Sequence, residues 1–487
     1  MLARAVSHAL VGLEARRVEV EVHVSGQVPG FTIVGLVDRA CQEAKERVRS
    51  GIASAERQWP GGRITVSLAP AGLRKEGSGF DLPIALAILA ASHQVSAERL
   101  AEHAALGELA LDGRVRPVDG ALAVAEGARR SGLSHLLCAA ESAAEVRLAG
   151  IEAVPVEHLA DAVAYLRGER SPPPFEGDGR PALAEQDFPD LAEVRGQERG
   201  RRALELAAAG NHNLLLAGPP GTGKTMLARR LPGILPPLGD REILESTRIH
   251  SVAGLLSHER PLVTAPPFRA PHHSSSAAAL VGGGPGPRPG EVTLAHRGVL
   301  LLDELPEFAR PVLEALRQPL EDGFVSVARV GGRAVFPARF QLVGTMNLCP
   351  CGGRGDGAAE CTCSPQRYAA FRDKLSRALL DRFDLVVVVP RSRAHELAAA
   401  PGEGSEDVRR RVLEARGRLG EHRPERTREA DELLDRAVER IPLSGRGRVR
   451  VARVARTAAA LAGSRDVLPV HVAEALAYRS PRELSAR

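Results

Sequence analysis

Hydrophobic positions along the chain fall into three patterns. Up to about residue 166, β-like runs (Arg17 to Val24, Arg63 to Leu68) are mixed with apolar stretches of helical character, Leu82 to Ala91 and Ala121 to Arg130. From Phe188 to about Pro390, the continuous apolar strands NLLLAG, GVLLLDE, FQLVGTMN and DLVVVVP are separated by helical segments. Strands without a polar face belong in a parallel sheet covered on both sides, so this block predicts an α/β layered architecture. The tail is charged, with apolar positions at helical spacing. Between the first two blocks, RGERSPPPFEGDGRPALAEQD (167–187) offers almost nothing to bury and reads as a linker. The expected division is therefore 1–166, a linker at 167–187, an α/β core at 188–395 and a helical domain at 396–487.

Composition changes this picture little. The 487 residues, 44% hydrophobic and 26% charged, match an ordinary globular protein of several units. No apolar run reaches the roughly 18 residues of a membrane span. The opening MLARAVSHALVGLEARR lacks a small-residue cleavage site, so a cytoplasmic location without membrane association is expected. The net charge of +5 is compatible with a phosphate-backbone partner without requiring one.

The strand NLLLA leads into GPPGTGKT (218–225) and then the helical MLARRL. Strand, glycine-rich turn and helix are the context a phosphate-binding loop needs. Across Gly218, Pro219, Pro220, Gly221, Thr222 and Gly223, backbone N–H groups converge on phosphate oxygens, and the helix opening at Met226 adds its positive dipole end. Lys224 is expected to neutralise the β- and γ-phosphates of ATP, and the Thr225 hydroxyl to ligate Mg²⁺. In GVLLLDELPEF (298–308), two carboxylates follow a buried strand: Asp303 is placed to hold Mg²⁺ and Glu304 to deprotonate the attacking water. Asn347 ends FQLVGTMN, where its amide positions that water or senses the γ-phosphate. Arg382, in ALLDRFDL, is expected at a subunit edge as a finger reaching a neighbour's γ-phosphate, since guanidinium matches phosphate bidentately. Arg446 begins a C-terminal helix expected to fold over the nucleotide, with Arg450 its rival for that role.

Cys349, Cys351, Cys361 and Cys363 form a four-thiol set directly after Asn347. Tetrahedral Zn²⁺, reduced free thiols and a redox switch all fit such a set; the one-residue spacing within each pair is tighter than usual for zinc.

The segment FRAPHHSSSAAALVGGGPGPRPGEVTLAHRGVLLLDELPEF (268–308), with NHNLLLAGPPGTGKTMLARRLPGILPPL, GTMNLCPCG, LLDRFDL and VARVARTAAALAG, resembles the ComM/YifB group of magnesium-chelatase-like AAA+ ATPases. The resemblance implies an AAA+ parallel sheet with a C-terminal helical lid, assembled as a homo-hexameric ring. It also implies an ATP-driven motor on single-stranded and branched DNA, moving a branch point during recombination in natural transformation. The alternative is a chelatase-type remodeller of a partner enzyme. Related motors carry an insert interrupting the helix before the second strand, here including 250–290, and a β-hairpin, here FVSVARVGGRAVFPARF (324–340). Arg329, Arg333 and Arg339 around a Gly331–Gly332 tip suit a tool that grips phosphates without reading bases. The run Gly282 to Gly284 with Pro285, Pro287 and Pro289 is expected to be a mobile loop, and His272 and His273 to serve a pore loop or packing.

APAGLRKEGSGFDLPIALAIL (69–89) and LGELALDGRVRPVDGALAVAEGARRSG (106–132) resemble the Lon proteolytic domain, an α+β fold of the ribosomal S5 domain 2-like type. Where Lon has its lysine, this chain has Leu122, and GSGFDLP offers no clean serine equivalent; Ser78 and Lys75 are neighbours in sequence only. The resemblance implies a proteolytically inactive domain that forms a ring or engages DNA.

Overall fold

A computed structural model describes residues 1–171, 188–257, 259–283, 287–329, 332–357, 360–440 and 443–479. Of the expected linker, 172–187 lie outside these residues. Among the described residues no helix is long and apolar enough to cross a membrane.

The first block is a seven-stranded mixed sheet of β1 (Leu2–Val11), β2 (Glu14–Ser25), β3 (Gly30–Val34), β4 (Arg63–Ala69), β5 (His103–Ala105), β6 (His135–Ala139) and β7 (Glu152–Val156), in the order β3-β4-β2-β1-β5-β6-β7. β2 pairs antiparallel with β1 and β4, and the remaining pairings are parallel. The helix Asp81–Ala91 lies against β1 and β2 and is buried along its whole length, which explains its unbroken apolar sequence. Its one carboxylate, Asp81, receives Nε of Arg47 at 2.6 Å and the Leu109 N–H at 3.2 Å, so the buried charge is paired. The helix Ala121–Arg130 packs against β1 and β2 in a second core with Leu106 and Leu136.

The second block is a five-stranded, all-parallel sheet: β8 (Leu214–Ala217), β9 (Phe268–Arg269), β12 (Val299–Leu302), β15 (Gln341–Met346) and β16 (Leu385–Val388), ordered β9-β12-β15-β8-β16. Two two-stranded pieces stand outside it, β10 (Gly282–Gly283) with β11 (Arg288–Pro289), and β13 (Phe324–Arg329) with β14 (Gly332–Pro337). Along β8, Leu214 and Leu216 enter the core under the helix Glu198–Gly210, while Leu215 and Ala217 enter the core on the opposite face. The helices Ser405–Glu421, Arg428–Arg440, Gly445–Leu461 and Pro469–Ala477 join the first of these cores. Arg450 donates to Asp384 at 2.9 Å, and His212 and Thr457 meet at 2.8 Å, tying the C-terminal helices to the sheet.

The helix Asp240–Val252 runs unbroken ahead of β9. Inside the expected 250–290 insert, and ahead of β12, the β10–β11 hairpin separates Ala277–Val281 from Glu291–Leu294. One expectation changes here. Arg339 lies beyond the end of β14, at the root of the larger hairpin, where its backbone N–H donates to His296 at 3.0 Å and its carbonyl accepts the Arg297 N–H at 2.7 Å. The side chains of Arg329 and Arg333, Gly331 at the tip, and Gly284 and Pro285 of the smaller hairpin lie outside the described residues.

The first block rests on the second. The Gly120 N–H donates to the Ser251 carbonyl at 3.0 Å, Arg248 pairs with Glu126 at 2.5 Å, and Leu244 and Val252 pack into the Leu122 core. At the β1–β2 turn, a Cβ added to Gly12 would lie 2.8 Å from Cβ of Ala334 on β14. Buried Glu145 accepts the Leu122 N–H at 3.3 Å, and burial pushes its carboxyl from 4.5 up to about 7. A raised acid binds protons more tightly when folded, so its stabilising contribution is full below about pH 4.5 and is lost as pH rises through about 7. Glu145→Gln keeps the acceptor and removes the charge. We expect it to raise the thermal midpoint at about pH 8, by a stability change of roughly 1–3 kcal/mol, and to match the parent near about pH 4.5. A midpoint difference that does not vary with pH would contradict this account.

Candidate nucleotide site

All four residues of β8 are buried, so it lies inside the sheet, between β15 and β16, and its following loop emerges at the carboxyl edge. There the chain turns through Gly221 at φ +74° and Gly223 at φ +85°, left-handed conformations that glycine adopts without strain. A Cβ at Gly218 would sit 2.3 Å from the Val389 carbonyl oxygen. The Thr222 hydroxyl donates to the Pro219 carbonyl at 2.9 Å, closing the loop over the start of the helix Lys224–Ala228; Met226, on that helix, is exposed.

The Lys224 ammonium is buried. It donates to the carbonyls of Gly218 at 2.9 Å and Pro219 at 2.7 Å and to Oδ1 of Asn347 at 3.2 Å. Burial pulls its pKa below the usual lysine value, while Asp303 and Glu304 oppose that shift. A buried ammonium held mainly by neutral oxygens at the end of a glycine loop fits an anionic phosphate.

β12 delivers the carboxylates. Oδ1 of Asp303 accepts both the Thr225 hydroxyl at 2.9 Å and the Thr345 hydroxyl at 2.5 Å. Thr345 in turn accepts the Glu304 N–H at 3.0 Å. Glu304 itself has φ +53°, a left-handed conformation rare for a side-chain-bearing residue and characteristic of functional positions. His273, Glu304, Pro306, Glu307, Asn347 and Phe371 line a cavity of about 360 Å³. Lys224, Thr225, Asp303, Glu304 and Asn347 therefore meet at one edge of three adjacent strands, with the threonine–aspartate pair suited to a hard cation such as Mg²⁺.

The arginines stand apart from this cluster. Arg382 is 6% exposed and tucked inward, donating to the Ala378 carbonyl and pairing with Glu321. Arg446 has a 70% exposed side chain and lies 3.4 Å from the same Glu321 carboxylate. Arg450 is committed to structure, holding Asp384 and the Arg382 carbonyl. In the first block, the Ser78 hydroxyl donates to Glu108, the ammonium of fully buried Lys75 donates to the Pro70 carbonyl, and Leu122 is buried in the core. Neither Ser78 nor Lys75 has the other as a partner in these bonds.

Three residues of the site escape a linear reading. Thr345 lies two residues before Asn347 on the same strand, a period-two signal that could have identified it. His273 reaches the cavity only because the segment after β9 folds back past Glu304, and Glu321 has no local signature.

Three family models match the chain. Residues 190–397 match the model described as magnesium chelatase, subunit ChlI; residues 20–142 match subunit ChlI of Mg-chelatase, and 402–479 its C-terminal model. The chain is 42% identical over 502 residues to competence protein ComM of Haemophilus influenzae, covering 98% of this chain and 97% of that one. The chain belongs to the ComM/YifB family of magnesium-chelatase-like proteins. YifB of Escherichia coli is likewise 42% identical, over 97% of this chain and 96% of its own. The magnesium-chelatase 67 kDa subunit of Heliobacterium mobile is 31% identical over only 34% of this chain and 29% of its own. The mixed α/β architecture with its parallel sheet fits the AAA+ magnesium-chelatase-like fold of this family.

Thr345 generates a test within this family. Thr345→Val removes the hydroxyl that joins Asp303 to the Glu304 backbone while keeping the shape. Turnover of ATP is expected to fall about 10–100-fold with nucleotide affinity retained. Parallel steady-state kinetics and binding of a fluorescent ADP analogue check it; loss of binding alone would assign Thr345 to the loop rather than to the acids.

Proposed function

We propose that this ComM/YifB-family chain is a cytoplasmic, Mg²⁺-dependent ATPase that works as a hexameric ring on DNA. The observation carrying the ATPase reading is the convergence of Lys224, the Thr225–Asp303 pair, Glu304 and Asn347 beside one cavity. Bound ATP–Mg²⁺ supplies the phosphoanhydride and the metal charge that draws electrons from it. Lys224 neutralises phosphate oxygens, and Thr225 and Asp303 hold the metal. The Glu304 carboxylate accepts the proton of the attacking water, which Asn347 orients. Arg446 contributes from the C-terminal helical lid. Arg382 acts on a neighbouring subunit's nucleotide, which requires its pair with Glu321 to open.

DNA as the substrate is supported by near full-length similarity to a protein named for competence. The larger hairpin, carrying Arg329 and Arg333 with Arg339 at its root, supplies the phosphate grip. In this reading the ring migrates branched DNA, pairing incoming single strands with the chromosome during natural transformation. The first block, in its Lon-like fold, is a ring-forming or DNA-engaging module without peptidase activity, because Ser78 and Lys75 serve separate partners.

The second reading, a chelatase-type protein remodeller, is favoured by the description shared by all three family models. It is weakened by the short match to the 67 kDa subunit, 34% of this chain against 98% for ComM.

ATPase assays with and without single-stranded and branched DNA, at low and high salt and with Lys224→Ala as the blank, separate the two. Salt-sensitive stimulation supports the DNA motor, and robust turnover indifferent to DNA overturns it. Glu304→Gln is expected to retain ATP and an assembled ring while turnover falls by about two to three orders of magnitude. Arg382→Ala is expected to bind ATP without turning it over, and mixing it with Lys224→Ala to restore part of the activity. Mixed rings without rescue would remove Arg382 as a finger acting between subunits.

A further inference from the structure

The thiols after β15 take no part in the chemistry above. The Sγ atoms of Cys349, Cys351, Cys361 and Cys363 all lie within 4.8 Å of one another. Cys349 and Cys351 are 3.4 Å apart, Cys351 and Cys361 3.7 Å, and Cys361 and Cys349 3.6 Å. A disulfide would draw a pair to about 2.05 Å, and none of the six cysteines of the chain is so joined. Four sulfurs at about 2.3 Å from a common centre, at the corners of a tetrahedron, are about 3.8 Å from one another. The three separations among Cys349, Cys351 and Cys361 fall within a few tenths of an ångström of that figure, and Cys363 lies within 4.8 Å of all three.

The backbone is shaped to bring the two Cys-x-Cys arms together. Gly352 at φ +80° and Gly355 at φ +76° turn the chain after the first arm, and a Cβ at Gly353 would lie 2.6 Å from the Glu360 carbonyl oxygen, just before the second. The Arg354 N–H donates to Cys349 Sγ at 3.3 Å, the outer-shell bond that steadies a metal-bound thiolate. Four thiolates with no histidine or carboxylate select a soft or borderline ion in a closed, structural geometry.

The position of this cluster gives it a task. Asn347 lies two residues upstream. A Cβ at Gly352 would come 2.8 Å from Cδ of Pro220, so the first arm presses on the phosphate loop. The Arg354 guanidinium stacks 4.4 Å above the Tyr368 ring, on the helix Pro365–Asp373 that also carries Phe371 into the cavity wall. Asp356 is bound bidentately by Arg391 at 3.0 and 2.7 Å, anchoring the loop to the chain beyond β16.

We propose that Cys349, Cys351, Cys361 and Cys363 hold one Zn²⁺ as a structural tetrathiolate centre, which locks Asn347 and the Phe371 helix to the phosphate loop. The locking role rests on the nucleotide reading of the cavity; the metal itself does not. The full-length chain, purified without chelator, is expected to contain about one zinc per chain by elemental analysis. Cys351→Ser/Cys361→Ser loses that zinc, and Cys41→Ser/Cys138→Ser keeps it. Because loss of ligands can impair folding, the parent is also stripped with a mercurial and a chelator, then restored with thiol and zinc. Affinity for a fluorescent ADP analogue is expected to fall about tenfold on stripping and to return with zinc. Zinc below about a tenth per chain, zinc retained by Cys351→Ser/Cys361→Ser, or iron in its place would overturn the centre. Bound zinc whose removal leaves nucleotide affinity unchanged would overturn the lock. A zinc-loaded parent that binds no nucleotide would instead count against the ATPase reading.

Discussion

The site depends on three neighbouring strands with no polar face. β12, β15 and β8 are buried on both sides and run parallel, so they reach the same edge of the sheet together. Polar backbone and side chains cannot remain inside such a sheet without partners, and the first positions free to carry them lie where the strands stop. Lys224 follows β8, Asp303 and Glu304 follow β12, and Asn347 follows β15. Parallel pairing thus converts positions about 120 residues apart in sequence, such as Lys224 and Asn347, into a contact of 3.2 Å.

The same edge explains why Thr345 matters. Its side chain is buried near the end of β15, and the Asp303 carboxylate and Glu304 N–H both satisfy it. A buried hydroxyl donates once and accepts in return, so this pair of bonds ties the Asp303 carboxylate to the Glu304 backbone. The left-handed backbone at Glu304 is held by that arrangement, and the strain serves to aim a carboxylate into the cavity rather than along the strand.

How much of this was legible in the sequence follows from how local each signal is. The phosphate loop and the acid pair are contiguous motifs flanked by unmistakable strands, and the helices Asp81–Ala91 and Ala121–Arg130 coincide with the apolar stretches that announced them. The strand Phe268–Arg269 has no apolar run to announce it, being only two residues long and set among prolines and histidines. The sequence places Arg339 with Arg329 and Arg333 around the hairpin tip, whereas β14 ends at Pro337 and the following backbone is captured by His296 and Arg297. His273 at the cavity and the docking of the first block through Gly120, Glu126 and Gly12 are tertiary facts with no local trace.

Arg382 shows where local reasoning and packing part company. Its sequence context announces a finger, yet in the isolated chain the guanidinium is buried, bound to Glu321 and to a carbonyl, with Nε lacking a partner. An unsatisfied buried donor costs about 1–3 kcal/mol, which weakens its hold on this resting place relative to any position offering a second anionic oxygen. Glu321 lies on the helix Arg317–Asp322, which runs directly into β13, and its carboxylate also faces Arg446 at 3.4 Å. Any outward movement of Arg382 therefore exchanges an ion pair at the root of the larger hairpin. A movement of Arg382 is thereby tied to the hairpin and to the C-terminal helix, and through Ala334 and Gly12 to the first block.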